Sequence, residues 1–247
     1  MSSQTRRYLI FGAYGGIGST LCRSLAQEGA KLVVSGRDRA ELETLAREID
    51  APSVVADAAD FQDVARATDE AAEELGGLDG VVSCVGSVLL KPAHLTSEDD
   101  WADTVRTNLT SSFAIVRSAT KALRGSGGGS VVLVSTAAAS IGLPNHEAIA
   151  AAKGGVDALV RSAAATYGSA GIRVNAVSPG LVETPLTRRI TGNEKALESS
   201  RAMHALGRIG APEDVASAIR WLLSDAASWI TGEVVGVDGG LGRVRSA

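Results

Sequence analysis

Three glycines at unequal intervals offer the first chemistry. Gly12, Gly16 and Gly18 follow the apolar run Tyr8-Leu9-Ile10-Phe11, and Ile17, Leu21 and Leu25 recur beyond them at helical spacing. The stretch reads as strand, glycine turn and helix, with Gly29 stopping the helix and Lys31 to Ser35 resuming as strand. A right-handed crossover sets the two strands side by side and leaves the helix start open at the carboxyl end of the sheet. Unpaired N–H groups and a positive dipole end suit a pyrophosphate there. The spacing G-x-x-x-G-x-G is not the commonest dinucleotide fingerprint, so the flanking strand and helix give the loop its meaning. Arg37 follows the second strand, where a carboxylate would grip a ribose 2′-hydroxyl and an arginine accommodates a 2′-phosphate. Its plain alternative is a solvated charge. Asp57, after the third strand, meets an adenine edge or caps a turn. Gly86 and Pro179-Gly180 follow later strands and also read as simple turns.

The elements that must place these residues alternate without a break in composition. Asp38 to Glu48 is an amphipathic helix and Ser53 to Ala56 a short strand. Asp60 caps a helix that Gly76-Gly77 ends, and Leu78 to Ser83 is the fourth strand. Thr96 with Asp99 reads as a capping box opening a long helix through Trp101, Val105, Leu109, Phe113 and Val116. Gly125 to Gly129 is a turn before the strand Ser130 to Val134. A second long helix runs from His146 to Tyr167, followed by a strand from Ile172 to Val177. Residues 185–211 are polar and weakly helical. Pro212 opens the last helix, and Gly232 to Val237 closes as a seventh strand. The pattern predicts one α/β domain over residues 1–247, a doubly wound, parallel, seven-stranded sheet with helices on both faces.

Composition narrows the function. A net charge of −4 gives no general basis for binding nucleic acid or anionic membrane. The 45% hydrophobic and 4% aromatic content suits a parallel sheet clothed in alanine-rich helices. Cys22 and Cys84 make no metal-ligand spacing, so no metal is expected, and two buried thiols are expected rather than a disulfide. MSSQTRR is too short for a secretory signal, and no apolar run approaches a membrane span. A cytoplasmic protein is expected.

Several of these segments together resemble the short-chain dehydrogenase/reductase family over essentially the whole chain. FGAYGGIG, which contains Tyr14, resembles its cofactor loop, and Asp57-Ala58 its adenine contact. SCVG, ending Val85-Gly86, resembles its Asn-Asn-Ala-Gly segment with both asparagines absent. RTNL carries Asn108 where the family has a catalytic asparagine. Ser178-Pro179-Gly180 through Val182 and Thr184 resembles the segment that closes over the nicotinamide, and GVDGG matches the last strand and its turn. The resemblance implies a Rossmann fold, a substrate lid at about residues 185–211, a small-molecule substrate and a homotetramer or homodimer packed through the two long helices. Alanines on the second of these suit either close helix approach or packing on its own sheet. With Arg37, the implied cofactor is NADP, NAD remaining possible. On the lid, Arg188, Arg189, Met203 and His204 are candidate substrate contacts.

The departures from the family set the question. Its Tyr-x-x-x-Lys motif keeps Lys153, but Ile149 stands at the tyrosine position. The family's serine position falls on Thr136, beside Ser135. In the family the lysine binds the nicotinamide ribose hydroxyls and lowers the tyrosine's pKa; only the first task is left here. As a lone charge in an alanine-rich helix, Lys153 also reads as solvated. Asn108 reads as a water-holding side chain beside the lysine, or as an exposed asparagine. His146 lies seven residues before Lys153, a rise of about 10.5 Å along one helix face. That step is similar to the Tyr-x6-Lys arrangement of the family's enoyl reductases. An imidazole titrates near about pH 6.5 and can protonate or hydrogen-bond an oxyanion. It also reads as a polar first-turn residue. The expected catalytic set is Asn108, Thr136, His146 and Lys153. The expected function is NADP-dependent hydride transfer to a C=O, conjugated C=C or C=N. The alternative is a catalytically inactive NAD(P)-binding protein acting as sensor or partner subunit.

Overall fold

Each strand carries an apolar run and each crossover a helix with one apolar stripe, so the chain buries its sheet on both faces. A computed structural model describes residues 5–244; the Met1–Gln4 head of MSSQTRR lies outside them. In chain order the elements are β1 (Arg7–Phe11), α1 (Gly16–Gln27), β2 (Lys31–Gly36), α2 (Arg39–Glu48), β3 (Ser53–Val55), α3 (Phe61–Leu75), β4 (Gly80–Ser83) and α4 (Glu98–Val105). They continue with α5 (Ser111–Gly125), β5 (Gly129–Val134), α6 (Glu147–Tyr167), β6 (Ile172–Pro179), α7 (Arg188–Thr191), α8 (Glu194–Met203), α9 (Pro212–Leu223) and β7 (Val234–Val237). The strands pair in parallel in the order β3-β2-β1-β4-β5-β6-β7. This is the doubly wound, seven-stranded parallel sheet of the Rossmann fold. The order reverses between β1 and β4, opening a crevice at the carboxyl ends of those strands.

Alternation along β1 divides the core. Leu9 and Phe11 join Val64 of α3, Ile115 of α5 and Val156 of α6 on one face. Tyr8 and Ile10 join Leu21 of α1, Leu42 of α2 and Ile219 of α9 on the other. On α6 the residues that join the first face's cluster are Val156, Val160, Ala163 and Ala164, so the second half of that helix packs on its own sheet. Asp60 caps α3 by accepting the Gln62 and Asp63 N–H groups, and left-handed Gly76 ends that helix. Among the described residues no helix is long and apolar enough to cross a membrane.

Two local expectations shift. The capping box of α4 is Ser97 with Asp100, one residue later than Thr96 with Asp99. Thr96 donates its hydroxyl to the Pro92 carbonyl at 3.1 Å, which leaves the next hydroxyl to cap. The long helix through Trp101 and Val116 is interrupted by a π-helical turn over Arg106–Thr110, where the Ser111 N–H reaches back to the Arg106 carbonyl. Such a turn inserts one residue without ending the helix and re-aims the side chains within it.

The 185–211 segment folds into a short 3₁₀ turn, α7 and α8, and then returns to the body. Arg208 holds the return through Asp214 at 2.6 Å, while Asp214 also accepts the Ala211 N–H at the start of α9. Hydrogen bonds from Arg208, then from Ala211, pull the Asp214 carboxyl from 3.8 down to about 2. Because the folded value lies below the unfolded one, this contribution is fully present above 3.8 and disappears as pH falls through about 2. Asp214→Asn is therefore expected to lower the melting temperature by about 2 °C at neutral pH. In thermal melts taken down the acid range, the gap from wild type should close; a gap that persists in strong acid contradicts the assignment.

Candidate active site

The glycine turn is built by close approach. Gly12 has φ +71°, and a Cβ on it would stand 2.8 Å from the Cys84 carbonyl carbon on β4's extension. A Cβ on Gly18 would stand 2.3 Å from the Gly12 oxygen. Only glycine lets the loop fold this tightly on itself. Gly15 caps α1 without a side chain, and the first turn of α1 holds no carboxylate. The leading N–H groups of that helix are thus open to an anion, the property a bound pyrophosphate requires.

Around this turn lies a cavity of about 300 Å³. Of the residues expected at a cofactor, Gly12, Tyr14, Gly16, Ile17, Gly18, Arg37, Asp57, Ala58, Val85, Gly86 and Thr184 line it. Gly36, Ala56, Cys84, Thr107, Ser111 and Leu186 line it too and were not foreseen. Thr107 and Ser111 flank Asn108 in RTNLTS, and that run of short polar residues between Val105 and Phe113 is the signal the sequence carries for them. The two cysteines are free, and burial pushes the Cys84 thiol up to about 12, so no thiolate faces the cavity at neutral pH.

The cavity's far end separates Arg37 from its neighbour. Asp38 spends its carboxylate capping α2, accepting the Ala40 and Glu41 N–H groups at 2.9 and 3.1 Å. Arg37 is exposed and has no carboxylate partner among the described residues. Asp57 accepts the Ala59 N–H at 3.0 Å, which is turn capping, pairs with Arg106 at 3.2 Å, and lines the cavity.

Asn108 and Lys153 converge on Gly86. A Cβ on Gly86 would lie 3.3 Å from Asn108 Oδ1 and 3.6 Å from Lys153 Nζ. The exposed reading of Asn108 is corrected: the π turn points it inward, and it is fully buried. Its Nδ2 donates to Ser87 Oγ and the Thr104 carbonyl, both at 2.9 Å, and its Oδ1 accepts the Ser87 N–H at 3.1 Å. The solvated reading of Lys153 is corrected as well. It is buried, donates to the Val134 carbonyl at 2.6 Å, and has its pKa lowered by burial from 10.5 to about 8, with Asp157 partly opposing. Gly155 lets α6 come this close, since a Cβ there would meet Leu109 Cδ2 at 2.8 Å.

The hydroxyls divide their tasks. Ser135 donates to Asp157 Oδ1 at 2.5 Å and is thereby occupied. Thr136 only weakly caps a 3₁₀ turn, accepting the Ala138 N–H at 3.4 Å, and keeps its proton free. Ile149, one turn before Lys153, is buried in the core. His146 is half-buried at the cap of α6, and its Nδ1 lies 2.7 Å from the Pro144 carbonyl. A carbonyl only accepts, so Nδ1 carries the proton and Nε2 of the neutral ring keeps its lone pair. No hydrogen bond joins His146 to Lys153 or Thr136 among the described residues, and none of the three lines the cavity.

Other expected residues lie elsewhere. Pro179, Gly180 and Val182 do not line the cavity: Val182 is buried against the α9 face, and Gly180 faces His204 and Asp238. His204 is not open to a substrate. It is 3% exposed, donates from Nδ1 to the Ser200 carbonyl at 2.6 Å and accepts the Leu181 N–H on Nε2 at 3.2 Å. It fastens the end of α8 to the backbone after β6. Arg188, Arg189 and Met203 are exposed on the 185–211 segment.

A parallel sheet with a glycine cradle at the point where strand order reverses is the arrangement of dinucleotide-binding folds. The comparisons with known proteins sharpen that class. A family model described as enoyl-(acyl carrier protein) reductase matches residues 12–242. A cis-4-hydroxycyclohexanecarboxylate dehydrogenase of Sinomonas cyclohexanicum is 38% identical over 239 residues, 94% of each chain. A short-chain type dehydrogenase/reductase from Mycobacterium ulcerans has a solved structure with TM-score 0.94 and 34% identity, covering 100% of this chain and 93% of that one. An actinorhodin polyketide ketoreductase variant, solved with NADPH, has TM-score 0.91 and 27% identity, covering 97% of this chain and 98% of its own. The chain belongs to the short-chain dehydrogenase/reductase family and is an oxidoreductase.

Proposed function

We propose that this chain transfers hydride between NADP and the C=O, conjugated C=C or C=N of a small molecule, with NAD usable in NADP's place. The observation that carries this reading is the convergence of Asn108 and buried Lys153 on Gly86, at the wall of the glycine cavity. The nicotinamide nucleotide supplies the hydride when bound. The open start of α1 would hold its pyrophosphate, and Asp57 and Ala58 would meet the adenine. Arg37 would face the 2′-phosphate, since Asp38 is spent as a helix cap. Lys153 would hold the ribose hydroxyls, and Thr184 would close the nicotinamide side. NADPH in the ketoreductase of similar fold supports the choice of nucleotide.

The proton step is where this chain departs from its family. Ile149 has no proton to give, so the site lacks the family's catalytic tyrosine. His146 would take its place. With Nδ1 committed to Pro144, the neutral ring accepts a proton at Nε2, and the imidazolium returns it from the same atom. Thr136 would steady the substrate oxygen with its free hydroxyl. A conjugated alkene or an imine asks less of the acid than a ketone does, because hydrogen bonding to the oxyanion, or prior protonation, does part of the work. Trp101 and Phe113, exposed on α4 and α5, suit packing of copies into a homodimer or homotetramer.

The test follows NADPH oxidation by the purified protein across ketones, enones and cyclic imines. Oxidation with at least one class supports the reading. Tight NADPH binding with no oxidation on any class contradicts it and returns the protein to a non-catalytic nucleotide-binding role.

A further inference from the structure

Asn145, immediately before His146, holds a backbone conformation that side chains rarely adopt. Its φ is +64°, and among the described residues only Asp50, just past α2, shares a positive φ without being glycine. Asparagine is one of the few residues that tolerate it. The side chain is exposed and makes no hydrogen bond among the described residues, so what this residue supplies is its backbone. Three successive carbonyls diverge there. That of Pro144 lies 2.7 Å from His146 Nδ1, that of Asn145 accepts the Lys91 N–H at 2.8 Å, and that of His146 accepts the Ala150 N–H at 2.8 Å. Lys91 is fixed in turn, its Nζ donating to Asp100 Oδ2 at 2.6 Å in the capping box of α4. A few residues before Lys91 stands Ser87, the partner of Asn108. The segment after β4 therefore holds Asn108 at one end and the chain before His146 at the other.

We infer that Asn145 is a positioning residue for His146: its left-handed turn, closed by Lys91, aims the Pro144 carbonyl at Nδ1 and leaves Nε2 as the ring's one reactive nitrogen. This rests on the proposed role of His146 in the proton step. A ring bonded through Nδ1 to a fixed carbonyl is held in one tautomer and one orientation. Displacing a proton-transfer group by an ångström lowers the rate far more than the loss of a surface contact does. Asn145 acts through His146 and exchanges no proton itself.

Nitrogen NMR of the protein with isotope-labelled histidine, the signal assigned by His146→Ala, reads the tautomer directly. Steady-state kinetics on the substrate class turned over fastest reads its consequence. Wild type is expected to show a neutral ring protonated at Nδ1. Asn145→Val, whose branched side chain is strained at φ +64°, is expected to lose that signature. Its turnover should fall by about tenfold, with KM for NADPH within about twofold of wild type. Asn145→Gly, which adopts the turn freely, is expected to keep both signature and rate. A wild-type ring protonated at Nε2, an Asn145→Val protein that keeps signature and rate, or an Asn145→Gly protein that loses them overturns the inference alone. A signature lost in Asn145→Val with turnover unchanged, or a wild type without turnover, overturns the catalytic reading of His146 and this role with it.

Discussion

Lys153→Met is expected to lower turnover by on the order of a hundredfold without destabilising the protein. The lysine is buried, and its cation is supported by one backbone carbonyl and a carboxylate one helical turn away. Desolvation therefore outweighs local compensation, which is why its pKa falls from 10.5 to about 8. A methionine of similar length keeps the packing and removes that cost. The pH dependence has a definite sign. The folded value lies below the unfolded one, so the penalty on the cation is felt below about 8 and is relieved as pH rises towards 10.5. Wild type should gain stability relative to Lys153→Met across that interval, while its affinity for NADPH falls as the ammonium is lost. Turnover within twofold of wild type in the variant, with a purified and folded sample, contradicts a role at the ribose.

His146→Ala is expected to cost turnover about a hundredfold or more, the usual contribution of a positioned acid or base. The variant should also lose the limb of the pH–rate profile that belongs to the imidazole. Alanine at a helix cap that makes no side-chain capping bond costs the fold little, so the loss should appear in rate and not in melting temperature. The second arm places a phenol at the family's position: Ile149→Tyr in the His146→Ala background should recover part of the rate on ketones. An unchanged pH–rate profile in His146→Ala removes the imidazole from the mechanism.

What the sequence made legible was local. The glycine turn, the Asp60 cap and the proline start of α9 each depend on a few adjacent residues and appear where those residues stand. The glycine cavity followed from the same logic, because strand ends and helix starts deliver their residues to one edge of a parallel sheet. Three things were not legible. The π turn around Asn108 keeps the apolar periodicity of an α-helix on either side, so the pattern gives no sign of the inserted residue that turns Asn108 inward. At α4, Thr96 and Ser97 both cap well and Asp99 and Asp100 both answer, and only the competing Pro92 carbonyl decides the register. His204 sits in a polar segment yet is buried, because its partners are backbone groups of Ser200 and Leu181, which no side-chain pattern announces.

His146 remains the residue on which the catalytic proposal stands, and its position relative to substrate is directly measurable. A crystal structure of the protein with NADP and a bound alcohol or carbonyl substrate should place Nε2 of His146 within about 2.6–3.2 Å of the reacting oxygen, with Lys153 on the nicotinamide ribose. An imidazole turned from the nicotinamide, with some other group or a water chain meeting that oxygen, would contradict it.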